Sequence, residues 1–234
     1  MTDKIENELE IVDEQADFII VNKPSGVGFH DDENQQGFFN QIKTALSPDD
    51  LYPVHRLDKM TSGLIIFAKN KNAAIQFQQL FENRHIDKYY LAISDKKPRK
   101  KQGLIKGDME KSRRGTWKLL RSQNNPAISQ FFSYGLNRGN RLFIVKPYTG
   151  KTHQIRVALN SLGSPIIGDP NYYASSISDR GYLHAYALKF TLNEKEYQYV
   201  LPPKVGKEYL EENINNVLKQ LTAPWSLAWP KINA

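Results

Sequence analysis

The chain of 234 residues contains no cysteine. This absence excludes disulfide bonds, thiolate catalysis and zinc sites built on cysteine, and it fits a reducing cytoplasm, where we expect the protein to act. No apolar run approaches the ~20 residues needed to span a bilayer, so no membrane association is expected. The first eight residues are mostly polar, with three carboxylates, and predict no signal or transit peptide.

Patterns for metals and nucleotides are also missing. The five histidines lack the short spacings typical of zinc ligands, and we interpret His55, His153 and His184 as hydrogen-bonding residues. The tripeptide Gly150-Lys151-Thr152 resembles the end of a phosphate-binding P-loop. That motif requires a glycine five positions earlier, where this chain has Val145. We therefore expect neither a metal nor a nucleotide P-loop.

Positive charge is concentrated in one segment. Residues 96–114 hold nine basic and two acidic residues, a net charge of +7 that equals the net charge of the whole chain. Such a block is typical of a surface that binds a polyanion such as RNA, and a solvated charged loop is the alternative. The candidate RNA-binding residues are Lys96, Lys97, Arg99, Lys100, Lys101, Arg113, Arg114 and, further along the chain, Lys151.

Asp58 is a candidate nucleophile. It precedes the apolar run at residues 64–68, which predicts a buried strand. If the backbone at residues 56–58 is extended, Arg56 and Asp58 point to the same side. The arginine would then favour the ionised carboxylate, which suits a nucleophile. A structural Arg–Asp pair that holds a loop is the alternative.

The pattern His55-Arg56-Leu57-Asp58, followed by Thr61-Ser62-Gly63-Leu64, resembles the signature of the RluA-like family of RNA pseudouridine synthases. The resemblance implies that Asp58 is catalytic and that His55, Arg56 and Thr61 support it. Other segments resemble the family in the same order: Asn22-Lys23-Pro24-Ser25-Gly26, a loop that we expect to support the site, then Lys88-Tyr89-Tyr90-Leu91-Ala92, Gly150-Lys151-Thr152-His153-Gln154-Ile155-Arg156, and the segment at residues 164–172.

Two further site residues come from these segments. The resemblance implies that Tyr90 packs on the target base, an interaction worth ~1–3 kcal/mol for a stacked base. A core aromatic is the alternative, and Tyr89, on the other face of the predicted strand, is its natural control. The resemblance also implies that Arg156 lies near Asp58, against the alternative of an ordinary surface arginine. This chain has Ala158 where the family usually has histidine.

The elements predict an α+β protein. Short strands and turns over residues 9–21, 64–68, 88–93 and 116–146 favour a mainly antiparallel sheet, and we interpret residues 96–114 as a loop or ragged hairpin. Helices are predicted at residues 38–46, after Asn70 or Asn72, from a Thr152 N-cap to Gly163, and at about 207–221, where Leu210 lies on the apolar stripe.

The resemblance completes this picture. It implies the pseudouridine synthase fold, a bent, mostly antiparallel sheet with flanking helices and a central cleft. We expect a single catalytic domain of two fused lobes over residues 1–234, without an S4 domain. The implied activity is isomerisation of uridine to pseudouridine in tRNA or large-subunit rRNA, with no obligatory protein partner.

The chemistry of this isomerisation implies no cofactor, because it needs neither a redox change nor a group donor. A catalytically silent RNA-binding protein on the same fold is the alternative. An aspartate-nucleophile hydrolase would leave the basic segment without a purpose.

Overall fold

The computed structural model describes residues 9–33, 35–46 and 50–232. The polar start at residues 1–8 and the predicted end of the first helix at residues 47–49 lie outside these ranges. The strands are β1 (Glu10–Glu14), β2 (Phe18–Lys23), β3 (Tyr52–Pro53), β4 (Thr61–Ala68), β5 (Asp87–Ser94), β6 (Gln102–Gly107), β7 (Met109–Lys111), β8 (Trp117–Leu119), β9 (Ala127–Gly135), β10 (Arg141–Pro147), β11 (Leu183–Leu192) and β12 (Lys195–Val200). The α-helices are α1 (Phe38–Leu46), α2 (Lys71–Glu82), α3 (Gln154–Ser161) and α4 (Glu212–Leu218).

Ten strands form one sheet, in the order β1-β2-β4-β11-β5-β10-β9-β6, with β12 beside β11 and β3 beside β4. Its neighbouring strands are antiparallel except β4 and β11, which pair in parallel where residues 61–63 meet residues 183–185. Strands β7 and β8 form a separate two-stranded sheet. The predicted α+β class and mostly antiparallel sheet are confirmed. In the described ranges, no helix has the length and apolar character that a membrane span requires.

Strand β4 lies at the centre of the apolar packing, because all eight of its residues are buried. Leu64 and Ile66 pack in the same core as Phe77 of α2. Ile65 on the opposite face packs in the same core as Ile42 of α1. Burial on both faces explains why the strand is a continuous apolar run rather than an alternating one.

The helix ends follow the sequence only in part. Asn70 caps α2 as predicted, since its Oδ1 accepts a hydrogen bond from the Ala73 N–H at 2.8 Å. The predicted Thr152 N-cap of α3 is wrong. His153 occupies the cap position with a left-handed φ of 57° and makes no side-chain cap bond. The Gln154 side chain organises this turn instead, because its Oε1 accepts hydrogen bonds from Thr149 Oγ1 at 2.7 Å and from the Lys151 N–H at 3.0 Å.

The C-terminal helix predicted at about 207–221 is broken in two. A 3₁₀ turn at Glu208–Leu210 precedes α4, and Glu211 between them is extended, with ψ of 136°. Leu210 is 59% exposed, which contradicts its place on the predicted apolar stripe, while Tyr209 is buried in its stead. Ile214 and Leu218 are buried against the domain, as expected.

The basic segment is more ordered than the predicted loop or ragged hairpin. Residues 102–107 form β6, an edge strand of the main sheet that pairs with β9. Ile105 of β6 is buried, so the strand is fixed by core packing despite its charged surroundings. Beyond it, the β7–β8 hairpin carries Arg113 and Arg114 in its exposed tip.

Gly63 gives the first prediction. A Cβ atom here would lie 2.3 Å from the Ala185 carbonyl oxygen, and φ is +105°. We expect Gly63→Ala to lower the free energy of unfolding by about 3 kcal/mol, because β11 must move away from β4. Gly115→Ala is the control, with φ of +72° and open space around it, and we expect it to cost about 1 kcal/mol. Equal losses in urea denaturation would contradict the close-packing argument.

Candidate active site

Asp58 lies on the loop that leads into β4. Its neighbours Leu57 and Met60 are buried in two different apolar cores, which anchors the loop on both sides. The backbone N–H of Thr61 donates to the Asp58 carbonyl at 2.9 Å, closing the turn. The Asp58 side chain is 22% exposed and faces the cleft, so a substrate can reach it.

Lys23, at the end of β2, fixes this loop from behind. Its side chain is fully buried, and its Nζ donates to the carbonyls of Thr61 at 2.9 Å, Pro24 at 3.0 Å and Lys59 at 3.4 Å. Burial lowers the pKa of Lys23 to about 7, and the nearby Asp58 charge acts in the opposite direction. The sequence placed Lys23 in a supporting loop but did not identify it individually.

The rest of the Asn22–Gly28 turn contacts the same loop. Ser25 Oγ donates to the Met60 carbonyl at 2.7 Å, and the Gly26 N–H donates to the Lys59 carbonyl at 2.8 Å. The turn therefore holds the backbone of the residues that directly follow Asp58.

Arg156 is the charged partner of Asp58. It projects from the first turn of α3, is 3% exposed, and donates from Nη1 to Asp58 Oδ2 at 3.2 Å. The expected pairing of Asp58 with Arg56 is wrong for the described structure. Residues 54–58 are irregular rather than a strand, and the exposed Arg56 forms no ion pair with Asp58 in the described ranges.

Asp169 holds Arg156 in place, and the sequence did not single it out. This fully buried carboxylate accepts two parallel hydrogen bonds of 2.7 Å, from Arg156 Nε and Nη2. The N–H groups of Asn171 and Tyr172 also donate to Asp169. Burial alone would lower the pKa of Arg156, but Asp169 and Asp58 together raise it. The signal that could have identified Asp169 is its position within residues 164–172, the segment that resembles the family.

His153 stands beside Asp58 as a neutral group. Its Nε2 lies 3.9 Å from Asp58 Oδ2, and its Nδ1 lies 3.1 Å from the Tyr172 hydroxyl. Burial and the charge of Arg156 lower the pKa of His153, so the ring is uncharged at neutral pH. Tyr172 also accepts a hydrogen bond from the Trp117 N–H at 2.8 Å, which ties the β7–β8 hairpin to the site.

Tyr90 and Tyr89 lie on opposite faces of β5, as predicted. Tyr90 is half-buried and lines the cleft beside Asp58. Burial and the charge of Asp58 raise the pKa of Tyr90, so its phenol keeps its proton at neutral pH. Tyr89 is fully buried on the other face, where its ring packs against Trp229 with 5.7 Å between centroids.

His55 and His184, two of the predicted hydrogen-bonding residues, both form hydrogen bonds with β4. His55 Nε2 accepts from the Ile66 N–H at 2.9 Å, and burial lowers the pKa of His55 to about 3. His184 Nδ1 and Ser62 Oγ are hydrogen-bonded at 2.8 Å, and burial lowers the pKa of His184 to about 4. The predicted hydrogen-bonding roles of these histidines are confirmed.

Two cavities meet at the Asp58 loop. A cleft of about 750 Å³ contains Tyr90, and a larger one of about 1230 Å³ lies behind the loop toward α1. Asp58 and Arg156 line both. The smaller cleft, which we call the Tyr90 cleft, has five arginines and lysines among its lining residues against two carboxylates. These are Arg56, Arg84, Lys88, Lys151 and Arg156 against Asp58 and Glu82.

The predicted RNA-binding residues separate into two groups. Lys151 lines the Tyr90 cleft, and its Nζ donates to the Asn125 carbonyl. The other seven are exposed and lie outside the lining of both cavities: Lys96, Lys97, Arg99, Lys100, Lys101, Arg113 and Arg114. Across the described ranges, no group of three or more His, Asp or Glu side chains is arranged to hold a metal ion.

Comparison with known proteins identifies the class. A family model described as RNA pseudouridylate synthase matches residues 17–161. The chain belongs to this family, whose members are isomerases that act on RNA.

Particular relatives agree with this. The chain is 44% identical over 220 residues to an uncharacterized RNA pseudouridine synthase of Haemophilus influenzae, covering 93% of this chain and 98% of that one. It is 31% identical over 194 residues to the ribosomal large subunit pseudouridine synthase C of Rickettsia bellii, covering 80% of this chain and 64% of the relative. The structure of human RNA pseudouridylate synthase domain containing 4 superposes with a TM-score of 0.70 at 25% identity, covering 86% of this chain and 90% of that one.

Asp169 gives the second prediction. Asp169→Asn removes the main counter-charge of a buried arginine, so we expect the free energy of unfolding to fall by about 3 kcal/mol. Asp58→Asn is the matched control on the same guanidinium. Its side chain is partly exposed, and we expect a change of about 1 kcal/mol or less. Similar losses for both variants in urea denaturation would contradict the assigned division of roles.

Lys23 gives the third prediction. Because Asp58 is the charge that opposes the lowering of the Lys23 pKa, Asp58→Asn should move that pKa below its wild-type value of about 7. The measurement is an NMR titration of lysine ¹³Cε shifts, with Lys23→Met to assign the signal and Asp95→Asn as a distant control.

The same shift has a consequence for stability. Between about pH 7 and 10.5 the unfolded chain binds the Lys23 proton more tightly than the folded protein does. The Lys23 contribution to the free energy of unfolding therefore rises with pH in this window, and Lys23→Met should remove that rise. A Lys23 signal that titrates as in a free lysine would contradict both expectations.

Proposed function

We propose that this RNA pseudouridine synthase uses Asp58 to open the N1–C1′ bond of a uridine in structured RNA. The uracil then turns and joins C5 to C1′, so that C5 loses its hydrogen and N1 gains one. The observation that carries the proposal is a partly exposed carboxylate, 3.2 Å from a buried arginine, in a cleft that also contains an aromatic ring. Asp58 acts by attack on the ribose, by attack on the ring or by removal of a ribose proton.

Arg156 is the positioning residue for Asp58 in this proposal. Its double hydrogen bond with Asp169 fixes the plane of the guanidinium. Nη2 also donates to Asn171 Oδ1 at 2.6 Å, and Nη1 donates to Asp58 at the cleft. His153 is neutral beside Asp58, so it adds a polar ring without competing for the carboxylate charge.

Tyr90 supports binding of the base. A uracil buried in an RNA helix must leave its stack to reach Asp58, and the half-buried Tyr90 ring gives it a new stacking partner. The protonated Tyr90 phenol is also a hydrogen-bond donor at neutral pH. Arg56, His55 and Thr61 complete the surroundings of Asp58.

RNA binding follows from charge. Five arginines and lysines line the Tyr90 cleft against two carboxylates, so the cleft attracts the RNA backbone. The exposed residues of the basic segment add positive charge outside the cleft. We propose large-subunit rRNA as the first substrate to test, because relatives such as the Rickettsia bellii protein carry that substrate in their names. Transfer RNA is the second. Because both RNAs are cytoplasmic, we propose that the protein acts in the cytoplasm. We also propose that the single main sheet forms one catalytic domain.

The fourth prediction tests Asp58. Joining C5 to the sugar expels the C5 hydrogen, so wild-type protein should release tritium from RNA that carries 5-³H-uridine. Asp58→Asn should reduce release to background while RNA binding is retained, and Asp95→Asn, an exposed aspartate outside both cavities, should leave it unchanged. Protein-free rRNA and bulk tRNA are supplied separately, and the pool that responds identifies the substrate class.

The silent RNA-binding alternative predicts the opposite result. RNA binding by the wild type without tritium release from any pool would favour it, and tritium release that survives Asp58→Asn would refute the role of Asp58.

A further inference from the structure

We propose that Arg84 and Tyr148 form a second base-binding subsite, which stacks the nucleobase next to the target uridine. The proposal rests on the proposed function and adds a specificity element to it. The Arg84 guanidinium carbon lies 4.7 Å from the centre of the Tyr148 ring. Both residues line the Tyr90 cleft together with Asp58, yet the isomerisation described above uses neither.

The end of α2 fixes the backbone of Arg84. Its φ of +59° lies in the left-handed region, as is common for the residue that follows a helix C-cap. The turn after α2 maintains it, since the Arg84 N–H donates to the Phe81 carbonyl at 3.2 Å and the His85 N–H donates to the Leu80 carbonyl at 2.8 Å. These two hydrogen bonds form the common left-handed cap at a helix C-terminus, and this cap places the Arg84 guanidinium over the Tyr148 ring.

Tyr148 has no role in the apolar cores. It follows the end of β10, where its N–H donates to the Ile128 carbonyl at 2.9 Å, and it is 37% exposed. An exposed cation–π pair contributes little to stability. A guanidinium plane beside an aromatic ring in a cleft is, however, a surface on which a base stacks.

The charge of Arg84 is available to RNA. In the part of the chain that the structure describes, no carboxylate lies within ion-pair distance of Arg84. Glu82, the nearest acidic residue in sequence, accepts a hydrogen bond from Gln78 at 2.8 Å. Lys88 also lines the cleft and adds a further basic side chain to it.

The spacing defines the kind of nucleotide. Tyr90 pairs with Val145 in the β5–β10 ladder, and Tyr148 comes three residues later, roughly 10 Å away at ~3.4 Å per residue. Nucleotides that remain stacked are only ~3.4 Å apart. A base on Arg84 is therefore unstacked from the target base, which suits a splayed nucleotide in a loop or bulge.

The test uses binding in the Asp58→Asn background, so that no turnover interferes. The probes are a strand of about 12 uridines and the same strand with alternate abasic residues, which keeps every phosphate but removes the neighbouring bases. We expect Tyr148→Ala to weaken binding of the uridine strand roughly tenfold and to leave the abasic strand unaffected. Tyr148→Phe keeps the ring and should bind like the parent protein. Arg84→Lys keeps the charge but loses the plane and should resemble Tyr148→Ala.

The outcomes separate this proposal from the proposed function. Equal effects of Tyr148→Ala on both probes, or full rescue by Arg84→Lys, would overturn the stacking subsite while wild-type tritium release still supports the isomerase. Absence of tritium release from rRNA and tRNA, with the probe difference intact, would overturn the proposed function and leave a single-strand binding site.

Discussion

A nearly buried arginine stays in a protein only when carboxylates surround its guanidinium. Arg156 has Asp169 along one edge and Asp58 at another corner. The double hydrogen bond with Asp169 fixes the guanidinium plane. The direction of the hydrogen bond from Arg156 to Asp58 is therefore set by a buried residue that does not line the cleft. The site consequently exists only when α3, the loop that carries Asp169 and the loop that carries Asp58 are docked together.

The second requirement is a rigid support for the Asp58 loop. Strand β4 is buried on both faces, and the loop that leads into it is held by Leu57 and Met60 in separate cores. A carboxylate at the edge of such a strand is solvent-accessible while its backbone is fixed. The parallel pairing of β4 with β11 and the buried His184 tie this edge to the middle of the sheet.

Local patterns predicted the elements well, because β4 and α2 each depend on residues close in sequence. Asp58, Tyr90 and Arg156 came from the family resemblance. The pairing of Asp58 with Arg156 joins residues 98 positions apart, and side-chain alternation, which suggested Arg56, carries no information about such docking. The burial of Asp169 and Lys23 could not be predicted either, because it also depends on how distant segments dock. At the C-terminus, a 3₁₀ turn changed the angular spacing, so Tyr209 rather than Leu210 faces the core.

Lys23 contacts the Asp58 loop through main-chain carbonyls alone. Every amino acid supplies that group, so these bonds do not depend on the side chains of Lys59 and Thr61. The neighbouring strand therefore shares in specifying the shape of the loop, together with the buried Leu57 and Met60 side chains. The exposed Lys59 side chain is therefore available for an ion pair with Asp32 at 3.1 Å, while the carbonyl of the same residue helps to hold the loop that carries Asp58.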